Sequence, residues 1–274
     1  MRRILALATV ALAATGCGSD LGPPQARPAS PVRIALAAPT PDLARGVRDA
    51  VDFVGARRVP LTADADLIVT DEAAQAIAEA RSTGEHVLLV GAPPAESLPP
   101  TLLAVEIDRS QLGYLAGALA AETGARSLAL PGAEPGMAAA ARAGVAAGGG
   151  GTRVTVAACG TPVRAAALYA EEVHCLPAHS SGQVIAAERL PGADQLAVLG
   201  PRPWAIVAAA ARAVQDGRFT PGESEQGLAE DALGFTWIAP SVPADAVDRL
   251  QRIEDAVRAG HAVIPAVPPV APPG

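Results

Sequence analysis

The sequence predicts an α/β protein of two Rossmann-like lobes with parallel sheets. Three observations carry that expectation. From residue 32 to about 217, short apolar runs alternate with alanine-rich helical stretches, the pattern of a doubly wound sheet with helices on both faces. The 274 residues exceed the roughly 250 at which a single core stops growing, which favours two domains. Half of the residues are hydrophobic and 18% are charged, a balance that fills a core and excludes global disorder. The 27 glycines and 26 prolines stay under the roughly 25–30% of low-complexity chains, so they punctuate a fold. A net charge of −7 and a pI near 5.1 lack the basic surface that a phosphate backbone requires, and nucleic acid is not expected as a partner.

In chain order, Met1-Arg2-Arg3 is a short cationic region and residues 4–14 are apolar. The run is too short for the ~20 residues of a spanning helix and reads as an export signal over 1–16. Ala14-Thr15-Gly16-Cys17 resembles the bacterial lipobox, with Ala14 where Leu is more usual, and the resemblance implies lipid attachment at Cys17. Two acyl chains give stable anchorage where one does not. The expected location is the extracytoplasmic face of the cell membrane, with residues 17–31 as a flexible Gly/Pro/Ser tether. Removing 1–16 takes two arginines and no acid, from −7 to −9, and a negative body is repelled by an anionic lipid surface.

Lobe 1 is expected over 32–124. Its strands read at 32–38, 66–70, 87–90 and 103–107, with helices at 42–55, 72–83 and 110–123. At Thr123-Gly124-Ala125-Arg126 a helix stops at glycine and a fresh strand begins, which marks the crossing into lobe 2. Lobe 2 is expected over 125–204, with strands at 127–130, 154–158, 173–176 and 196–199 and helices at 134–147, 161–171 and 181–189. A helix at 203–216 then returns, and about 205–264 complete lobe 1. Within that return, 225–231 and 234–238 read as a strand pair. The segment 243–259 reads as an amphipathic helix with Val247, Leu250, Ile253, Ala256 and Val257 on one face. Residues 265–274 form a Pro-rich, extended tail.

Motifs for chemistry are sparse. No strand-to-helix turn carries G-x-G-x-x-G or a P-loop, so nucleotide phosphates have no signature. His179-Ser180-Ser181 lacks a nucleophile-elbow frame. The four histidines show no metal spacing, and His174 and Cys175 are expected on opposite sides of a strand. No enzyme activity, cofactor or metal is expected. Cys159 and Cys175 remain beyond Cys17. Both read as lying on neighbouring parallel strands, where bridging is geometrically awkward, so a disulfide and two buried free thiols both stay open.

The segment 110–121, SQLGYLAGALAA, resembles the GYLAG-x-LAA helix of the BMP (basic membrane protein) family, lipoprotein substrate-binding components of ABC importers. Asp216-Gly217-Arg218-Phe219 resembles that family's D-G-K-F helix end, and 243–265 its closing helix. The likeness covers roughly 103–151 and 203–265, and the first hundred residues only by layout. It implies a type I periplasmic-binding fold: two lobes joined by three strands, closing on a small polar solute, commonly a nucleoside, at their strand tips. It also implies a permease or other envelope protein as partner, with the solute-binding chain itself monomeric. Gly113, Gly117 and Ala121 make a smooth helix ridge for close backbone approach.

The family's ligand pattern is largely missing. Pro39 and Thr40 stand where its stacking Phe and its Asn would be, Val90-Gly91-Ala92 replaces an Asp-Gly, and 187–203 is too short for its ribose-binding acids. What remains at strand ends is Thr40 and Asp42, Asp71 with Glu72, Asp108, the hydroxyl-rich turn His179-Ser180-Ser181, and Trp204. The acids and Thr40 also suit helix capping, and Trp204 also suits a core. Two expectations follow: a solute-binding lipoprotein with a diverged pocket, or a docking module that keeps the scaffold and has lost the pocket.

Overall fold

The computed structural model describes residues 30–170, 173–177 and 182–265. In chain order the elements are β1 (Arg33–Leu36), α1 (Pro41–Val54), β2 (Arg57–Arg58), β3 (Leu67–Thr70), α2 (Ala73–Thr83), β4 (His86–Val90), β5 (Leu102–Ile107), α3 (Arg109–Glu122), β6 (Ser127–Pro131), α4 (Pro135–Ala147), β7 (Arg153–Ala157), β8 (Ala167–Ala170), a 3-10 turn Val173–Cys175, β9 (Gln183–Ala186), β10 (Gln195–Pro201), α5 (Pro203–Gln215), β11 (Gly222–Gln226), β12 (Leu233–Ile238) and α6 (Ala244–Arg258).

Two six-stranded sheets result. The first runs β11-β5-β4-β3-β1-β2 and is parallel throughout. The second runs β12-β10-β9-β8-β6-β7 and is parallel except where β12 lies antiparallel to β10. Helix ends follow local chemistry. Pro41, Pro135 and Pro203 open their helices at the first turn, where a missing N–H costs nothing.

The lobe boundary differs from the sequence expectation. The chain leaves the first sheet at Ile107, and α3 packs against α4 and α6 over the second sheet. The small-residue ridge explains the choice. A Cβ on Gly113 would lie 2.5 Å from the Met137 carbonyl oxygen and one on Gly117 2.0 Å from that of Ala141, while one on Gly144 would lie 1.8 Å from that of Tyr114. The two helices touch backbone to backbone, which fixes α3 to α4 rather than to the preceding sheet. β12 and α6 also join the second lobe. The first lobe therefore comprises 31–107 and 203–226, and the second 109–201 and 233–264, instead of 32–124 with 205–264 and 125–204.

The first lobe is doubly wound. Leu43, Val47 and Ala50 of α1 share one core with Ile206, Val207 and Ala211 of α5, and Ala76, Ile77 and Ala80 of α2 fill the other face. The second lobe is not. Its helices α3, α4 and α6 belong to one core, and among the described residues the opposite face holds a small cluster of Ala129, Ala165 and Leu168, flanked by Val163 and Leu176. Residues 158–166 and 187–194 cross that face without a helix. The helix expected at 161–171 contains β8, the one at 181–189 contains β9, and the strand expected at 173–176 is the 3-10 turn. In β8 all four residues, Ala-Leu-Tyr-Ala, are buried; packing on both faces of a central strand overrides alanine's helix preference. The thin layer is pinned by side chains: Gln195 Oε1 accepts from Leu190 N at 3.1 Å and its Nε2 donates to Glu188 O at 2.7 Å, while Arg189 stacks 3.5 Å over Trp237.

Candidate functional site

The chain crosses between the sheets three times, at 107–109, 201–203 and 226–233. Each crossing leaves from the C-terminal end of a strand: β5, β10 and β11. The C-terminal edges of the two sheets are thereby turned toward each other, where open α/β sheets bind ligands. Backbone bonds hold the crossings side by side. Asp108 N donates to Gln226 O at 3.0 Å and Arg202 N to Ala232 O at 2.7 Å.

Of the residues nominated from sequence, Thr40, Asp71 and Asp108 come to this edge with their polar atoms already engaged. Thr40 caps α1, accepting from Leu43 N at 3.4 Å, and its own N–H donates to Asp71 Oδ2 at 3.1 Å. Its hydroxyl also donates to the Asp71 carboxylate. Asp71 thus ties the loop after β3 to the loop after β1. Glu72 stands at the N-cap position of α2 with no side-chain cap bond. Asp42 is exposed on the first turn of α1, 3.3 Å from Arg45. Asp108 caps α3: its Oδ1 accepts from Ser110 N at 2.9 Å and its Oδ2 from Gln111 Nε2 at 2.8 Å. Trp204 does not close over the edge. It packs edge-on against Phe53 of α1, ring centroids 5.4 Å apart, because Gly46 lets Pro203 and the start of α5 lie directly on α1. His179, Ser180, Ser181 and Cys17 lie outside the described residues.

Cys159 and Cys175 are joined as a disulfide, S–S 2.06 Å. Neither sits on a strand. Cys159 follows β7 and Cys175 ends the 3-10 turn, which removes the obstacle posed by adjacent strands. The placement of His174 and Cys175 on opposite sides of a strand fails with it, and their donor atoms lie together with that of Cys159.

Several contacts of the crossings were not legible from sequence. Gln111 Oε1 accepts from Leu228 N at 2.8 Å, joining the first crossing to the third. Arg202 pairs with Asp231 and donates to Phe235 O at 2.9 Å. Glu254 of α6 lies against this pair, and burial pushes its carboxyl up, opposed by a bond from the Phe235 backbone and by Arg202 and Arg258. A cavity of about 420 Å³ opens beside the crossings between Asp108, Gln111, Glu225, Val257 and Ile264. Burial raises the Glu225 carboxyl, helped by Asp108 and by Glu106, its register partner on β5. Only the positive φ at Asp231, 59°, had a faint signal: Asp is among the few residues that tolerate it.

Among solved structures, an ABC transporter system solute-binding protein from Conexibacter woesei is 18% identical, with 85% of this chain and 98% of that chain covered at a TM-score of 0.64. A solute-binding protein of an ABC transporter system from Aeropyrum pernix is 15% identical over 84% and 92%, TM-score 0.52. A transcriptional activator of the comK gene from Bacillus halodurans is 12% identical over 83% and 97%, TM-score 0.61. The fold is type I periplasmic-binding-protein-like. No family model and no curated protein matches the chain. At these identities the likeness is one of fold, shared by solute-binding proteins of ABC transporter systems and by a transcriptional activator, and the site's chemistry has to be read from the residues. Among the described residues no helix is long and apolar enough to cross a membrane.

Proposed function

We propose that this chain is an extracytoplasmic solute-binding lipoprotein of an ABC importer, BMP-like, tethered to the membrane through Cys17, with a small polar solute held between its lobes. The observation that supports it most is the arrangement of the three crossings, all at C-terminal strand ends, which turns two loop-bearing edges toward one another. Solute-binding proteins of ABC transporter systems are among the structures with a similar fold. A permease or another envelope protein is the partner, and the binding chain is a monomer.

The solute is not a typical nucleoside. A polyol is held by charge-assisted hydrogen bonds worth ~1.5–3 kcal/mol each. Here the carboxylates of Asp71 and Asp108 are spent on Thr40 and on the start of α3. That same commitment favours a second reading, a docking or regulatory lipoprotein whose pocket no longer serves transport.

Thermal unfolding against a panel of nucleosides, sugars, amino acids and lipid headgroups separates the two, since a ligand at 100 Kd adds ~2.7 kcal/mol. A raised Tm with one class supports solute binding. No shift with any class, together with palmitate incorporation that Cys17→Ser abolishes, supports the docking module. Failure of palmitate to incorporate overturns the tether.

A further inference from the structure

The helix-poor face of the second lobe meets the loop-bearing edge at Cys159, His174 and Cys175. One donor atom from each lies within 4.8 Å of the other two. We propose that these three residues form a zinc site in the reduced protein, and that the Cys159–Cys175 disulfide is the oxidised, metal-free form of the same site.

Two thiolates and an imidazole are a zinc donor set that leaves a fourth, tetrahedral position for water. Cys159 and His174 are exposed while Cys175 is buried, so the fourth position faces solvent and a metal ion has a path in. The backbone around the sulfurs is secured without the S–S bond. Gly160 N donates to Cys175 O at 3.0 Å, and Gly132 N donates to Ala157 O at 2.9 Å. Gly132, at φ 74°, lets Cys175 Sγ approach to 3.0 Å of where a Cβ would stand.

The interconversion balances with a dithiol as reductant. One thiolate of the dithiol attacks the exposed Cys159 sulfur, forming a mixed disulfide and releasing Cys175 as thiolate. The second thiol of the dithiol displaces Cys159 and closes the reductant's own disulfide, so two electrons and two protons pass to the protein. Zn(II) then binds both sulfurs as thiolates with release of their protons, and neutral His174 supplies the third ligand.

The test uses the full chain carrying Cys17→Ser, so that the two remaining thiols are those of the site. The protein is reduced with a dithiol, freed of it under anaerobic conditions, and titrated with Co(II) and then Zn(II). The expected result is thiolate-to-cobalt charge-transfer absorption saturating at one ion per chain, displaced by Zn(II) and absent from the oxidised protein. His174→Ala should weaken binding by at least the roughly tenfold that even an outer-shell change costs. That variant keeps the disulfide, so its circular dichroism in the oxidised state verifies that it folds. Absence of the cobalt–thiolate band in the reduced protein, or unchanged affinity in folded His174→Ala, overturns the proposal. Neither outcome depends on whether a solute binds between the lobes.

Discussion

Gln111 and Leu228 are 117 positions apart in sequence and are joined by a 2.8 Å hydrogen bond from the Leu228 backbone N–H to the Gln111 side-chain oxygen. Leu228 is fully buried, so its N–H finds no water if that acceptor is removed. An unmade buried bond costs about 1–3 kcal/mol. Gln111→Ala is expected to lower the urea-unfolding stability by that amount, and Gln111→Met, which preserves shape without an acceptor, by nearly as much. If Gln111→Met unfolds at the wild-type urea concentration, the bond between the first and third crossings contributes nothing.

Gly117→Ala tests the backbone contact that assigns α3 to the second lobe. The added methyl would fall 2.0 Å from the Ala141 carbonyl oxygen, on backbone that can yield only by separating the helices. Overpacking costs typically 1–3 kcal/mol, and a clash with backbone belongs at or above the upper end. In a helix alanine is intrinsically favoured over glycine by about 1 kcal/mol, so a wild-type or raised Tm for the variant would mean that the helices stand farther apart than described.

The first lobe was legible because its strands are short apolar runs and its helices α1 and α2 end at clear stops, Gly55 and Gly84, both left-handed. In the second lobe the same rules misread β8 and β9. Alanine is compatible with a helix anywhere and with a strand wherever both faces are packed, and only the finished sheet decides. The ridge of Gly113 and Gly117 was visible as a surface for close approach, but its partner α4 was not, which is why the boundary moved from Gly124 to Ile107. At the candidate edge the residue types of Thr40, Asp71 and Asp108 suited both capping and ligand contact, and the bonds they make are caps and braces. Trp204 could not be placed from sequence because its seat depends on Gly46, more than 150 positions earlier.

Asp66 and Arg33 give the first lobe an acid-sensitive tie. The carboxylate accepts from Arg33 N at 2.7 Å, from its Nε at 3.1 Å and from its Nη2 at 2.8 Å. The guanidinium bonds, opposed in part by burial and aided by the backbone N–H, hold the carboxyl below the usual range. A depressed folded value contributes stability that is present above the unfolded value and lost as pH falls through the folded one. The pair is partly exposed, so solvent screening limits the effect of Asp66→Asn to about 1 kcal/mol. Urea midpoints of wild type and variant should differ at neutral pH and converge in acid; a difference independent of pH would remove the charge from the explanation.

The disulfide closes a loop with a sequence separation of 16, for which chain entropy gives about 3 kcal/mol. Among the described residues the face it spans carries no helix, so the backbone bonds of Gly160 and Gly132 are left to hold the two loops when the cross-link is cut. Reduction in the presence of a metal chelator is expected to lower Tm by several degrees, and Cys159→Ser with Cys175→Ser to match the reduced wild type. Equal melting of oxidised and reduced protein would mean that Gln195 and the Arg189–Trp237 stack suffice to hold the layer.

Glu254 predicts the opposite pH response at the crossings. Its Oε1 is buried with no hydrogen-bond partner, and burial raises the carboxyl despite the Phe235 N–H and the nearby Arg202 and Arg258, with Asp255 adding to the rise. A carboxyl raised in the folded state is neutral there at pH values where the unfolded chain has already ionised. Its contribution is therefore most favourable below the ordinary carboxyl range and diminishes as pH rises from that range through the raised folded value. Glu254→Gln keeps the shape and an acceptor for Phe235 without the charge. Stability measured from acid to neutral pH should show the variant gaining on wild type as pH rises, where Asp66→Asn loses ground. A variant that instead falls behind wild type toward neutral pH would mean that Arg202 and Arg258 outweigh burial and that ionised Glu254 is a net tie between the crossings.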